Sequence, residues 1–385
     1  RDVQAIDDDA APRGERHVVL YNPPLLDGTS GFRQPAIEAS RGLALMALRG
    51  GHQTIVFTTS RLDCELLTRY LQDDLARLGK DPAQVEAYRG GHLPMQRRRT
   101  QERLREGTLR CVVSTNALEL GLDIGALDVA ILAGWPGSIA SARQQMGRAG
   151  RRGRPSLCVF VARSAAIDQH VIAHPEHLLG SSPEHARINA DNLLVLADHV
   201  KCAAFEMPFR RGEDFGGLDA GETGDLLSIL SEDGLVHEEG GAWHWTQETH
   251  PAEAVSLRSV SSDNFVVVES CSPPRVIAEV DFPSAPTTIH EKAIYWVAGR
   301  QYQVDRLDHE GRKAYVTPVD CDYYTDAISF RTVSVLQVAD ERDVGAGSAT
   351  VRHGDVRACD EAIGFKKVKL RTHENLGYGD IALPE

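Results

Sequence analysis

With 385 residues the chain is long enough for two or three domains of the usual ~100 to 200 residues, which excludes a miniprotein or a disulfide scaffold. Hydrophobic residues at 42% and charged residues at 25% sit near globular averages, and no apolar run nears the ~18 residues that span a bilayer, so a soluble protein with no membrane partner is expected. A net charge of −13 excludes general coating of nucleic acid through overall charge and directs attention to local charge.

The seven cysteines lie at 64, 111, 158, 202, 271, 321 and 359, so no C-x-x-C pair exists and no zinc site is expected within the chain. An odd number of thiols without a secretory signal fits a reducing, cytoplasmic location, with Cys111 and Cys158 in apolar runs as core residues. The chain starts at Arg1 and stops in mid-pattern at Leu383-Pro384-Glu385, which reads as a piece of something longer.

Residues 1–35 read as a linker, with Asp7-Asp8-Asp9, a short strand at His17–Tyr21 and a stop at Pro23-Pro24. Between residues 36 and 178, strands at Thr54–Thr59, Val85–Tyr88, Cys111–Ser114, Val129–Leu132 and Leu157–Val161 alternate with helices at Leu62–Leu78, Pro94–Arg105 and Ser138–Gly150. That alternation implies βαβ units and an α/β domain built on a covered parallel sheet. Helices at His185–Phe209 and Gly224–Ser231, followed by a hairpin around Gly240-Gly241, predict a winged helix over 179–250. From 251 to 385 strands at Phe265–Glu269, Val276–Val280, Ala293–Val297, Gln301–Leu307, Lys313–Pro318 and Lys366–Leu370 predict a β-rich, barrel-like accessory domain.

The densest chemical signal is Gln144-Gln-Met-Gly147-Arg148-Ala-Gly150-Arg151. Arginines three apart on a helix share a face and can point at a transferring phosphoryl group across a cleft, although a lone R-x-x-R also suits a solvated basic helix. Thr115 ends a strand, where its hydroxyl and nearby N–H groups can hold a backbone phosphate; Gly121 permits close approach and Asp123 can accept from a ribose hydroxyl. Thr58, Thr59 and Arg61 end a second strand, and Arg89-Gly90-Gly91-His92 a third. Ligands of open α/β sheets bind at such carboxyl ends. Between residues 89 and 154 twelve arginines face five acids, a local surplus of seven that leaves −20 on the remainder, as a confined phosphate track requires.

Together these segments resemble the second RecA-like lobe of superfamily 2 helicases: motif IV at Ile55–Arg61, motif V at Thr115–Asp123 and motif VI at Gln144–Arg151, with Gln145 standing where many members carry Arg. Weaker matches at Asn22-Pro23-Pro24, Ile289-His290-Glu291 and Asp322-Tyr323-Tyr324-Thr325 extend the resemblance to the DEAD/DEAH-box DNA-repair helicases of the MrfA (YprA/SftH) type, relatives of fungal RecQ-four-like helicases. The resemblance implies a 3′-to-5′ DNA helicase using ATP and Mg2+. Arg148 and Arg151 would be fingers, with Gly121, Asp123 and Gln144 at the nucleotide. Thr58, Thr59, Arg61, Arg89, Gly90 and Thr115 would lie on single-stranded DNA. It also implies a zinc-bearing segment beyond Glu385 and a partner, RecA-like lobe one of the same full-length chain. No G-x-x-x-x-G-K-[ST] loop or D-E-x-H box occurs here, Asp360-Glu361-Ala362-Ile363 being a partial imitation, so the chain alone is expected to be inactive. An RNA helicase and a non-enzymatic nucleic-acid-binding module stay open as alternatives. His170/His174, Trp243/Trp245 and Tyr323/Tyr324 read as packing residues, and Arg97-Arg98-Arg99 as a solvated face.

Overall fold

The computed structural model describes residues 14–27, 31–120, 124–125, 127–150, 153, 155–186, 192–253, 255, 264–344 and 349–382. They divide into two compact units, one made of residues up to Glu184 together with Phe265 onward, the other of His185–Asn264.

In the first unit, β1 (Arg16–Tyr21) is followed by a small hairpin of β2 (Leu25–Asp27) and β3 (Phe32–Arg33). Then come α1 (Ala36–Arg49), β4 (Thr54–Thr58), α2 (Arg61–Arg77), β5 (Val85–Tyr88), α3 (Pro94–Glu106), β6 (Cys111–Ser114), β7 (Val129–Ala133), α4 (Ile139–Met146), β8 (Ser156–Val161), α5 (Ala166–Ala173) and α6 (Pro175–Leu179). The six strands form one parallel sheet in the order β1-β8-β7-β4-β6-β5. β4 and β7 are buried at every residue because helices cover both faces, and two apolar cores flank the sheet. Burial pushes the thiols of Cys64, Cys111 and Cys158 up, as befits core packing.

The strand expected at His17–Tyr21 forms as β1 and pairs in parallel with β8 at the edge of the sheet, where Val18 and Leu20 pack on the core. Helix α1 was not anticipated. α2 starts where Ser60 accepts from the Asp63 N–H, and α3 runs from Pro94 at its first turn to a left-handed Gly107. α4 stops at Met146, short of the expected Gly150, as Gly147 begins a turn.

The second unit holds α7 (Leu193–Glu206), β9 (Phe209–Arg210), α8 (Ala220–Glu232), β10 (Val236–Glu239) and β11 (Ala242–Trp245). α7 begins at Asn192, whose side chain accepts from Leu194 and Val195, later than the expected His185. α8 carries a capping box of Asp219 and Glu222. The two-residue turn Gly240-Gly241, both with positive φ, joins β10 to β11, and the sheet order is β10-β11-β9. Trp243 and Trp245 pack against a core that includes Phe209, Leu227 and Leu230.

The first unit resumes with β12 (Phe265–Glu269), β13 (Arg275–Val280), α9 (Ala285–Thr288), β14 (Ile294–Val297), β15 (Arg300–Asp308) and β16 (Lys313–Val319). They build a five-stranded sheet ordered β13-β12-β16-β15-β14, antiparallel apart from the β12/β16 pair. β17 (Tyr323–Val344) and β18 (Ala349–Lys369) then form a long hairpin joined by β19 (Asn375–Asp380). The region is β-rich as expected. Alternation along β14 turns Tyr295 and Val297 into the sheet's own core and Ile294 and Trp296 onto Leu66 and Tyr70 of α2. This second contact joins the sheet to the parallel-sheet lobe.

No helix among the described residues is long and apolar enough to cross a membrane.

Candidate functional site

The carboxyl ends of β4, β6 and β7 meet at a pocket of about 250 Å3, lined by Thr58, Thr59, Thr115, Asn116, Gln145 and the Gly134–Gly137 turn. Parallel strands in register bring these ends together: Phe57 pairs with Ser114 and with Leu132. Thr59 is exposed and Thr115 half-buried, so both hydroxyls can reach a ligand. Thr58 differs, being 5% exposed, and its Oγ1 donates to the Ser60 carbonyl at 3.1 Å. It shapes the pocket wall.

The opposite wall is held from below. Gly134 has φ +95°, and a Cβ there would fall 2.5 Å from Arg163 Nε, so glycine is required where the turn leaves β7. Asp168 on α5 accepts from the Trp135 N–H at 3.0 Å, fixing the turn, and burial pushes its carboxyl up.

Glu119, from the segment after β6, links this pocket to α4. Its Oε2 accepts from Ser141 Oγ at 2.6 Å and Gln145 Nε2 at 3.0 Å. Its main-chain carbonyl accepts from Arg148 Nε at 3.0 Å and Nη2 at 2.5 Å. Arg148 is 4% exposed. Expected as a projecting finger, it is a buried brace between motifs V and VI, two residues past the end of α4, whereas Gln144 on that helix is exposed. Sequence reading passed over Glu119 and registered Gln145 only as a departure; their spacing, with Gln145 one turn past Ser141, was the available signal. Gly121, Asp123 and Arg151 lie outside the described residues.

Arg89 is a correction. Expected to hold the strand, it is 2% exposed, and its Nε donates to Glu65 Oε1 at 2.7 Å. Its Nη2 donates to the Trp296 carbonyl at 2.5 Å and its Nη1 to the Gly90 carbonyl at 3.1 Å. His92 Nε2 lies 3.1 Å from the same Glu65 oxygen, and the Gly299 N–H donates to the other at 2.9 Å. Burial alone would push Glu65 up; Arg89 and His92 more than offset it and hold the carboxyl down at about 2. Burial lowers His92. Beside them Gly91, at φ +91°, accepts from the Glu279 N–H at 3.0 Å, and a Cβ there would stand 2.4 Å from the Glu279 carbonyl oxygen. The end of β5 therefore anchors the β-rich sheet. Gly90 lies next to Arg61, which pairs with Asp281 at 2.5 Å while staying partly exposed.

The His170 ring meets that of His174 at a tilt and that of His177 edge-on, and no group of three or more His, Cys, Asp or Glu among the described residues is arranged to hold a metal ion. On α3, Arg98 and Arg99 are exposed, whereas Arg103 pairs with Glu86.

Residues 38–153 match the helicase conserved C-terminal domain, and residues 188–260 the winged helix domain of ATP-dependent helicase HRQ1. The chain is 44% identical over 385 residues to the uncharacterized ATP-dependent helicase YprA of Bacillus subtilis, covering all of this chain and 51% of that protein. It is 32% identical over 378 residues to ATP-dependent helicase HRQ1 of Saccharomyces cerevisiae, covering 95% of this chain and 34% of that one. The crystal structure of the DUF1998 helicase MrfA bound to DNA superposes with a TM-score of 0.81 at 44% identity, over 98% of this chain and 50% of MrfA's. The chain thus spans about half the length of its bacterial relative and about a third of the yeast one. With the lobe, the winged helix and the β-rich sheets all matched, the chain belongs to the superfamily 2 helicases of the MrfA, YprA and HRQ1 type.

Proposed function

We propose that this chain is the lobe-two half of a cytoplasmic, ATP-dependent DNA helicase or translocase that moves 3′ to 5′ on single-stranded DNA and serves DNA repair. The observation that carries the reading is the hydroxyl-lined pocket where β4, β6 and β7 end, coupled through Glu119 to the helix of motif VI. Hydroxyls and main-chain N–H groups suit a sugar-phosphate backbone, whose contacts position a strand without reading its bases. MrfA has been crystallised with DNA and AMPPNP, which supports the same pairing of ligands here.

When bound, ATP with Mg2+ supplies the free energy of phosphoryl transfer. Arg151 and the exposed Gln144 would face the triphosphate, with Gly121 and Asp123 toward the sugar. Magnesium and the phosphate loop would belong to lobe one of the same full-length chain, the partner this reading requires, and the present chain alone hydrolyses no ATP above background. Arg148 clamps the Glu119 carbonyl, and Glu119 holds Ser141 and Gln145, so a displacement of α4 at the nucleotide moves the strand pocket. Alternation between two such grips along a strand is translocation.

The test uses the full-length protein. Arg151→Ala should lower DNA-stimulated ATP turnover by roughly 10³-fold, the usual finger effect, with oligonucleotide binding nearly intact. Turnover at the wild-type rate would overturn the assignment and favour a binding module. Faster unwinding from an RNA than a DNA tracking strand would reassign the substrate.

A further inference from the structure

Between α3 and the five-stranded sheet lies a cavity of about 670 Å3 that the helicase reading leaves unused. β13 and β14 are opposite edges of that sheet, yet Arg275 and Val276 of β13 line the same space as Val297 of β14 and Arg300 of β15, so the sheet curls around it. The facing wall is the edge strand β5 with one side of α3, where Gln96, Arg99, Thr100 and Arg103 recur at helical spacing. The mouth of a curled sheet is a common seat for a ligand, and the volume falls within the ~300 to 1,000 Å3 of small-ligand sites.

The charge there is one-sided. Four arginines, Arg99, Arg103, Arg275 and Arg300, line the cavity against a single carboxylate, that of Glu86. Arg103 pairs with Glu86, and Arg275 donates to Glu269 at 2.6 Å. Arg99 and Arg300 are exposed, and their side chains make no hydrogen bond or ion pair among the described residues. One uncommitted guanidinium therefore stands on each wall. In a chain of net charge −13 such a surplus is a local feature, not a property of the whole surface.

A planar guanidinium fork matches a phosphate, and forks on two facing walls match a ligand that carries more than one. Val276, 43% exposed, adds apolar surface that sugar carbons or a base can cover. We propose that the cavity binds a ligand with at least two phosphate groups, held by Arg99 from α3 and Arg300 from β15, with Arg103 and Arg275 as supporting charge. Thr59 and Thr115 do not line it, so it is separate from the hydroxyl pocket. Consecutive phosphates of a nucleic-acid strand and those of a free nucleotide or polyphosphate present the same chemistry, and the probes below tell them apart.

The experiment takes the full-length protein with two probes, a labelled single-stranded oligonucleotide read by anisotropy across a salt series and inorganic tripolyphosphate read by calorimetry. Arg99→Glu and Arg300→Glu should each weaken binding of the phosphate source that uses the cavity by about tenfold. Arg98→Glu, exposed on the same helix but outside the cavity, should change it less than about twofold, as a distant screened charge does. Arg99→Gln combined with Arg300→Gln removes charge without reversing it and covers the case in which a Glu variant does not fold. A loss of oligonucleotide affinity, with a salt slope lowered by about 0.7 per lost phosphate, assigns the site to a strand. A tripolyphosphate site lost in the variants with oligonucleotide binding intact assigns it to a free phosphorylated ligand. Wild-type behaviour of the variants toward both probes, or an equal effect of Arg98→Glu, would overturn the site and leave the hydroxyl pocket standing. No oligonucleotide binding by wild type would overturn the strand reading instead, and the tripolyphosphate titration would still decide the cavity.

Discussion

At the carboxyl edge of the parallel sheet, β4, β6 and β7 finish around an open pocket, whereas β5 finishes against a second sheet. Both edges looked alike in sequence: each strand is followed by glycines, hydroxyls or a cation. The open edge keeps Thr59 exposed and Thr115 half-buried. The closed edge buries Glu65, Arg89 and His92 and satisfies them with one another and with main-chain groups of the β-rich sheet. Ligand binding at strand ends is thus a rule about available space, and a strand end can be given to domain attachment instead. The cost is desolvation of charge, which is tolerable only because both Glu65 oxygens accept hydrogen bonds and all three Arg89 side-chain nitrogens donate.

The comparison breaks most visibly at Arg89. If the closed edge is an anchor, Arg89→Ala leaves the Glu65 carboxylate buried without its guanidinium and should cost about 3 to 5 kcal/mol of stability, read from urea unfolding. Were Arg89 a strand grip, stability would hardly change and oligonucleotide affinity would fall alone.

Acid offers a second, smaller test. The Glu65 pKa is about 2 in the fold against an ordinary value of 4.5, so it is depressed on folding. Its contribution is fully present above the unfolded value and is lost as pH falls from about 5 to about 2, worth on the order of 3 kcal/mol. His92 acts in the same direction, since its folded pKa is also lowered and acidification charges the unfolded chain first. Glu65→Gln should flatten the stability profile across that window. An unchanged slope would mean that the pair does not set the acid limit.

What the sequence made legible follows from periodicity. β4 through β8 and α2 and α3 were readable because fully buried strands and amphipathic helices leave strong patterns. α1 escaped because the residues it buries, Ala36, Ala39, Ser40, Ala44 and Leu48, are mostly small. Of the β17/β18 hairpin only Lys366–Leu370 was legible, because most of the rest is exposed on both faces, which removes the alternation that marks a strand. At the site, Thr59 and Thr115 of the pocket wall could be located from the strand ends they follow. The burial of Arg89 and Arg148 could not, because it depends on Glu65, Trp296 and Glu119, and the first two lie 24 and 207 residues from Arg89, the third 29 residues from Arg148.

Arg61 supplies the smallest expected change in stability and the sharpest contrast, because it stands between the two edges. Like Arg89 it reaches into the β-rich region, where it pairs with Asp281, but its side chain is 39% exposed and that of Asp281 34%. Water screens such a pair, so Arg61→Ala should cost no more than about 1 kcal/mol in unfolding. An exposed cation beside Thr59 nonetheless lowers the electrostatic cost of a passing phosphate, and its loss should reduce the salt dependence of oligonucleotide binding by about one counterion. Anisotropy titrations across a salt series measure that slope directly. If Arg61→Ala instead destabilised the fold as much as Arg89→Ala and left the slope untouched, Arg61 would belong with the anchor, and the open edge would begin only at Thr59.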